Sequence, residues 1–173
     1  MSLGMLILQS LYFFLPAYLA NMAPPLFKWL PFLNRPIHEK RLGAHKTWRG
    51  VIVATLIGTL VFVLQKWAYS LGFTQLALID YSGFSIILGT LLGFGAILGD
   101  AIKSYYKRKM NISPGEPWLV YDQLDFVIGG LLLGMFFYVP QAEVVLILLI
   151  ISPLLHLLFN YFGYLLGVNK NKY

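Results

Sequence analysis

Between Gly99 and Phe126 an otherwise apolar chain carries Asp100, Lys103, Ser104, Lys107, Arg108, Lys109, Glu116, Asp122 and Asp125. Asp100, Lys103, Ser104 and Lys107 follow the spacing i, i+3, i+4, i+7. On a helix that spacing puts one carboxylate, one hydroxyl and two ammonium groups on one stripe. Taken alone, the stripe also reads as an ordinary salt-bridged helix end whose lysines reach for headgroups. Asp122 and Asp125 are three apart and precede an apolar run, so they share the first turn of a helix, where the dipole favours anions. One aspartate is enough for that. Two of them, with Asp100 on a neighbouring helix, make a trio of hard oxygen ligands. Magnesium takes such a set and leaves its other positions to water and phosphate oxygens. The chain has no cysteine and no clustered histidines, which excludes disulfides and a thiolate or histidine-rich zinc site.

A second polar piece, Arg41-Leu-Gly-Ala-His-Lys-Thr-Trp-Arg-Gly50, precedes another apolar run. Lys46 and Arg49 stand at a helix amino terminus, where free N–H groups and the dipole attract anions and arginine adds two-pronged phosphate contacts. The same residues also serve a positive-inside anchor. The glycines do not have Walker-loop spacing. His45 is one histidine among cations. His38 carries no pattern, and His156 in an apolar run reads as a structural histidine paired with Asn160 one turn on. Between Asp100 and Asp122, Ile112-Ser-Pro-Gly-Glu-Pro-Trp118 reads as an irregular loop. Clustered cations and carboxylates without a serine–histidine–aspartate set suit magnesium-bound phosphates. Phosphoryl and nucleotidyl transfer runs mainly on positioning and charge stabilisation.

The elements that must hold these residues are apolar. Of 173 residues 58% are hydrophobic and 12% charged, with mean hydropathy +0.72, far from the soluble average of about 25% charged. The expected fold is all-α in a single domain, residues 1–173, with five transmembrane helices at about 3–23, 51–71, 84–104, 121–139 and 144–168. The first run has no basic residue before it and a poor cleavage site after it, so it reads as a retained helix. Polar loops 24–50 and 105–120 and the tail with Lys170 and Lys172 hold nearly all the lysine and arginine, against Lys66 on the other side. The positive-inside rule then places the amino terminus outside and the carboxyl terminus and active site on the cytoplasmic face of a cell membrane. The net charge of +6 gathers on that face, which favours a lipid phosphate over nucleic acid. Residues 26–33, apolar and aromatic with Lys28, read as an interfacial segment that anchors the loop or guides a lipid substrate. Small residues four apart, Ala54/Gly58, Gly89/Gly93, Gly95/Gly99, Gly130/Gly134 and Gly163/Gly167, predict close helix packing. Gly99 also borders the charged stretch, where a ligand could approach.

Together Lys46-Thr-Trp-Arg-Gly50, Gly99-Asp100-x-x-Lys103-Ser104-x-x-Lys107-Arg108 and Pro114-Gly-x-x-Trp118-x-x-x-Asp122-Gln123-x-Asp125 resemble the CDP-archaeol synthase family, the short archaeal-type branch of the lipid phosphate cytidylyltransferases. Gln123 stands where the longer phosphatidate enzymes have arginine, which favours the short branch. The resemblance implies CTP and an isoprenoid glyceryl-ether phosphate lipid as substrates, CDP-archaeol and pyrophosphate as products, and Mg2+. It implies that Asp100, Asp122 and Asp125 hold the metal and act in catalysis with Lys103. Lys107 and Arg108 would neutralise phosphates, Lys46 and Arg49 would orient the lipid phosphate or the other end of CTP, and Ser104 and Gln123 would give neutral hydrogen bonds. Lipid chain type and the choice of CTP rest on the resemblance alone, so a phosphatidate cytidylyltransferase making CDP-diacylglycerol is the alternative. A small transporter or lipid-binding scaffold is the alternative of another class; it lacks repeats and leaves the three aspartates unexplained.

Overall fold

The computed structural model describes residues 2–113 and 116–165. Pro114, Gly115, Gly167, the side chain of Asn160 and the tail with Lys170 and Lys172 lie outside the described residues. Within them the chain is helical: α1 (Leu3–Phe13), α2 (Leu15–Leu26), α3 (Glu39–Leu42), α4 (Trp48–Ser70), α5 (Ile87–Lys109), α6 (Tyr121–Gly134) and α7 (Ala142–Leu165). The described residues form no strand, and Pro36 and Thr47 make an isolated antiparallel bridge. α4 and α5 are long and apolar enough to cross a membrane, and α1 with α2 passes as one bent pair.

Residues 3–23 are therefore not one straight helix. α1 and α2 meet at 47°. Pro16 is the cause: it sits in the first turn of α2 and brings no N–H to the Tyr12 carbonyl four residues back. That carbonyl is taken instead by Gln65 Nε2 of α4 at 2.5 Å. Other boundaries also shift. α4 begins at Trp48 because the Thr47 side chain accepts the Gly50 N–H at 3.1 Å. α5 runs to Lys109 rather than ending near 104, so Lys107 and Arg108 are helical residues. α6 stops at Gly134, and its 14 residues span only about 21 Å at 1.5 Å each. The short α3 was not expected. Gly43 ends it at φ 87°, and 46–49 then folds back along 33–37, with Ile37 N–H on the Lys46 carbonyl at 2.8 Å and Arg49 N–H on the Leu33 carbonyl at 3.1 Å.

α5 is central and packs against α2, α3, α4 and α6. One core cluster joins Phe13, Phe14, Phe62, Tyr81, Leu88, Leu92, Phe126 and Val127. The helix backbones approach through glycines, as small residues permit in lipid. A Cβ on Gly58 would lie 2.7 Å from Gly93 Cα, locking α4 to α5. A Cβ on Gly95 would strike the Gly129 carbonyl, and one on Gly99 the Asp125 carbonyl, locking α5 to α6. Gly99 is thus a packing residue, not a ligand approach.

This seam predicts a stability difference. Gly129→Ala places a methyl against the Gly95 carbonyl and should cost about 1–3 kcal/mol, as overpacking does. Gly4→Ala, with nothing within 4 Å, should be neutral. Thermal unfolding of the detergent-solubilised proteins reads the difference, and equal transitions would refute the seam.

Candidate active site

The glycine seam brings the carboxyl-terminal half of α5 against the start of α6. There Lys103 Nζ lies 3.1 Å from Asp100 Oδ1, 3.0 Å from Asp122 Oδ1 and 2.8 Å from Asp125 Oδ2. These side chains are largely withdrawn from solvent, with Lys103 at 15% and Asp125 at 5% exposure. Lys107 Nζ flanks Asp122 at 3.2 Å and donates to the Glu116 carbonyl at 2.5 Å. Asp122 also accepts the Trp118 N–H at 2.6 Å. Its carboxylate thus ties the preceding loop rather than capping α6, whose N-cap, Val120, has φ 72°. On the other side Lys46 pairs with Asp100, reaching from the fold-back of 33–49 across to α5. Lys46, Lys103 and Lys107 alternate with Asp100 and Asp122 in one half-buried chain of ion pairs, and Asp125 joins at Lys103.

Two cavities open on this chain. One, about 430 Å³, is lined by Lys28, His45, Lys46, Arg49 and Asp100 among others. The second, about 390 Å³, is lined by Asp100, Lys103, Lys107, Asp122, Gln123 and Asp125, with Glu116 and His156. Asn21, Pro25 and Asp100 belong to both. The cavities are neighbours with a common wall. The first is cationic apart from Asp100. The second mixes carboxylates with lysines.

Most residues singled out in the sequence meet here, but two do not. Ser104 donates its hydroxyl to the Asp100 carbonyl at 2.8 Å, a bond within its own helix, and Arg108 donates to the Ile112 carbonyl. Neither lines a cavity. Arg49 lines the first cavity while also donating to the Leu30 carbonyl at 2.7 Å. Gln123 is buried with Oε1 unpartnered. His156 of α7 stands at the wall of the second cavity, near the Phe126 ring, although the sequence read it as purely structural. Asn21 was missed altogether: one amide in an apolar run carries no motif. Lys28, in the segment expected to anchor the loop or guide a lipid, lines the first cavity.

Among the described residues no three histidine or carboxylate side chains are spaced to hold a metal ion as they stand. The donor chemistry nevertheless fits one. Three carboxylate oxygens from two helices converge on one cationic point, now the Lys103 ammonium, and hard oxygens are what magnesium takes.

The chain is similar to known proteins over nearly its whole length. The CarS-like CDP-archaeol synthase family model matches residues 3–173. The CDP-archaeol synthase of Thermococcus gammatolerans is 36% identical, over 91% of this chain and 91% of that one. That of Methanocaldococcus jannaschii is 36% identical, over 94% and 95%. A solved structure, described as an intramembrane enzyme for archaeal membrane lipids biosynthesis, superposes with TM-score 0.69 at 28% identity, covering 89% of this chain and 94% of that one. The chain belongs to the CDP-archaeol synthase family. The three sequence segments that resemble this family, about Lys46, Asp100 and Asp122, are those that the fold brings together through Lys46–Asp100 and Lys103.

Lys103→Met removes the cation and leaves three carboxylates facing one another. Breaking a buried ion pair from one side costs about 3–5 kcal/mol, so the thermal transition should fall. Adding Asp125→Asn should restore part of it, with a coupling energy of at least about 1 kcal/mol in the double-mutant cycle. Strict additivity would mean that the two side chains do not interact.

Proposed function

We infer that the chain is a membrane nucleotidyltransferase that moves CMP from CTP to the phosphate of unsaturated archaetidic acid, 2,3-bis-O-geranylgeranylglyceryl phosphate, giving CDP-archaeol and pyrophosphate for polar lipid synthesis. Family membership carries the reaction. One observation supports the site: two cavities of different charge share a wall at Asp100, as a transfer between two phosphate-bearing substrates requires.

The second cavity takes the triphosphate of CTP. Asp100, Asp122 and Asp125 would hold magnesium there, and magnesium supplies positive charge that screens the phosphate oxygens and stabilises charge in the transfer. Lys103 and Lys107 neutralise the triphosphate and the pyrophosphate as it leaves. The first cavity takes the lipid phosphate, with Arg49, Lys28 and Lys46 as donors. A phosphate monoester carries close to −2 at neutral pH, so its oxygen attacks without a base. The new bond joins lipid oxygen to the α-phosphorus. The bond from the α-phosphorus to the bridging oxygen breaks, and pyrophosphate departs with that electron pair. Lys46, paired with Asp100, lines the first cavity and orients the lipid phosphate from that side.

The same reading sets the chain in the membrane with five crossings: α1 with α2, α4, α5, α6 and α7. Lys107, Arg108 and Lys109 end α5 at the cytoplasmic face. Lys66, near the far end of α4, has its ammonium held by the carbonyls of Tyr81 at 2.6 Å, Ser82 at 3.2 Å and Phe84 at 2.5 Å. That clamp supports a lone cation on the outer face.

Two experiments test this. Purified protein with labelled CTP and the geranylgeranyl ether phosphate should form CDP-lipid and pyrophosphate one to one, stop with EDTA and resume with magnesium. In the same assay Asp122→Asn should lower turnover by about 10²–10³-fold, the size of effect of removing one preorganised electrostatic group, in a protein that still folds. Undiminished turnover in Asp122→Asn would refute the metal assignment, and no CDP-lipid from the parent would refute the activity. For orientation, the chain has no native cysteine, so a cysteine at Thr74 should react with an impermeant maleimide in intact cells and one at Asn111 only after permeabilisation. The reverse pattern would invert the topology.

A further inference from the structure

α2 reads Leu15-Pro-Ala-Tyr-Leu-Ala-Asn-Met-Ala-Pro-Pro-Leu26. Its polar side chains are Tyr18 and Asn21. The Tyr18 hydroxyl is spent on Ser152 Oγ at 2.5 Å. Asn21 makes no side-chain hydrogen bond among the described residues, although an amide in a membrane helix ordinarily finds one. Asn21 lies on the wall common to both cavities, together with Pro25 and Asp100. The backbone is opened at the same place. Pro24 and Pro25 lie inside the helix, so Pro25 brings no N–H to the Asn21 carbonyl. At the other end of α2 the carbonyl freed by Pro16 is taken by Gln65. Among the described residues no side chain donates to the Asn21 carbonyl. The helix therefore places a residue with an unspent amide, beside a backbone opened by proline, at the junction of the cavities. Its neighbours fix it there, since Ala20 is fully buried with Ala54 and Ile97 and Pro24 packs on Gly50.

We propose that the Asn21 side-chain amide donates a hydrogen bond to a non-bridging oxygen of the phosphoryl group in transfer. This rests on the reaction inferred above, in which the bond from lipid oxygen to the α-phosphorus forms as the bond to pyrophosphate breaks. The shared wall is where that phosphorus passes between substrates. A neutral donor suits the position. Asp100, also at the wall, is an anion and cannot donate, and its partner Lys46 lines the first cavity but not the second. A donor aimed at the moving group contributes mainly in the transition state, so its loss appears in kcat rather than in KM.

The test compares Asn21→Ala, Asn21→Asp and Met22→Ala with the parent in CDP-lipid formation from labelled CTP and the ether lipid phosphate. Met22 is the half-exposed neighbour and serves as the control. Asn21→Ala should lower kcat by about 10²-fold, as removal of one preorganised donor does, with both KM values within about threefold. Asn21→Asp keeps the shape, exchanges the donor for an anion, and should lose more. It carries the test if the alanine variant does not fold. Met22→Ala should match the parent. Retention of kcat within about threefold in both Asn21 variants overturns the proposal, and so does a rise in either KM with kcat unchanged. An inactive parent overturns the underlying reaction and this inference with it. An active parent with fully active Asn21 variants overturns this inference alone.

Discussion

The Lys103 ammonium is held by carboxylates from two helices, and the charged end of the bundle is arranged around it. Each of these groups would be costly to bury singly, by several kcal/mol after relaxation. Together, three aspartates and the lysines at 46, 103 and 107 balance in formal charge. Asp100 is gripped by Lys46 on one side and Lys103 on the other, and Asp122 by Lys103 and Lys107. Since Lys46 comes from the 24–50 loop and the others from α5 and α6, the same charges that line the two cavities also tie the loop to the helices.

That network is possible only because α5 and α6 touch backbone to backbone. Gly95, Gly99 and Gly129 leave no side chain between them, and the Gly99 contact falls on the carbonyl of Asp125 itself. A bulkier residue at 99 would move the Asp125 carboxylate away from Lys103. In membranes, where apolar side chains gain little by leaving lipid, close backbone approach is a principal source of helix affinity. Here the closest approach coincides with the acidic cluster, so packing and site share one contact.

How much of this the sequence discloses differs by residue. Hydropathy finds the apolar segments, and the i, i+3, i+7 stripe correctly unites Asp100, Lys103 and Lys107 because helix periodicity alone sets their face. Asp122 and Asp125 are legible for the same reason. The bend at Pro16 is not, because the apolar run continues through it and the compensating donor, Gln65, lies on another helix. Gly129 goes unseen because the small-residue pattern is read along one helix, whereas its role is set by Gly95 on the next. Ser104 and Arg108 fall within the matching segment and are naturally read as ligand groups. Their backbone bonds to Asp100 and Ile112 depend on rotamers that spacing does not encode. His156 enters the site only through the packing of α7 against α6.

The contrast in charge between the two cavities explains why Asp100 is paired twice. On the proposed reading a lipid phosphate arrives without a metal and needs a cationic wall, which Lys28, Lys46 and Arg49 supply. A magnesium-bound triphosphate needs carboxylates for the metal and ammonium groups for the remaining charge, which the second cavity has. The substrates are then sorted by electrostatics before shape matters. The wall between them must resist both tendencies: an unpaired carboxylate there would repel the incoming lipid phosphate, and an unpaired lysine would bind that phosphate in place of presenting it. Lys46 against Asp100 offsets the carboxylate at the point where the phosphates must meet, and the ammonium keeps further N–H groups for the lipid phosphate in the first cavity. It leaves short-range hydrogen bonding, rather than net charge, to orient the group that crosses.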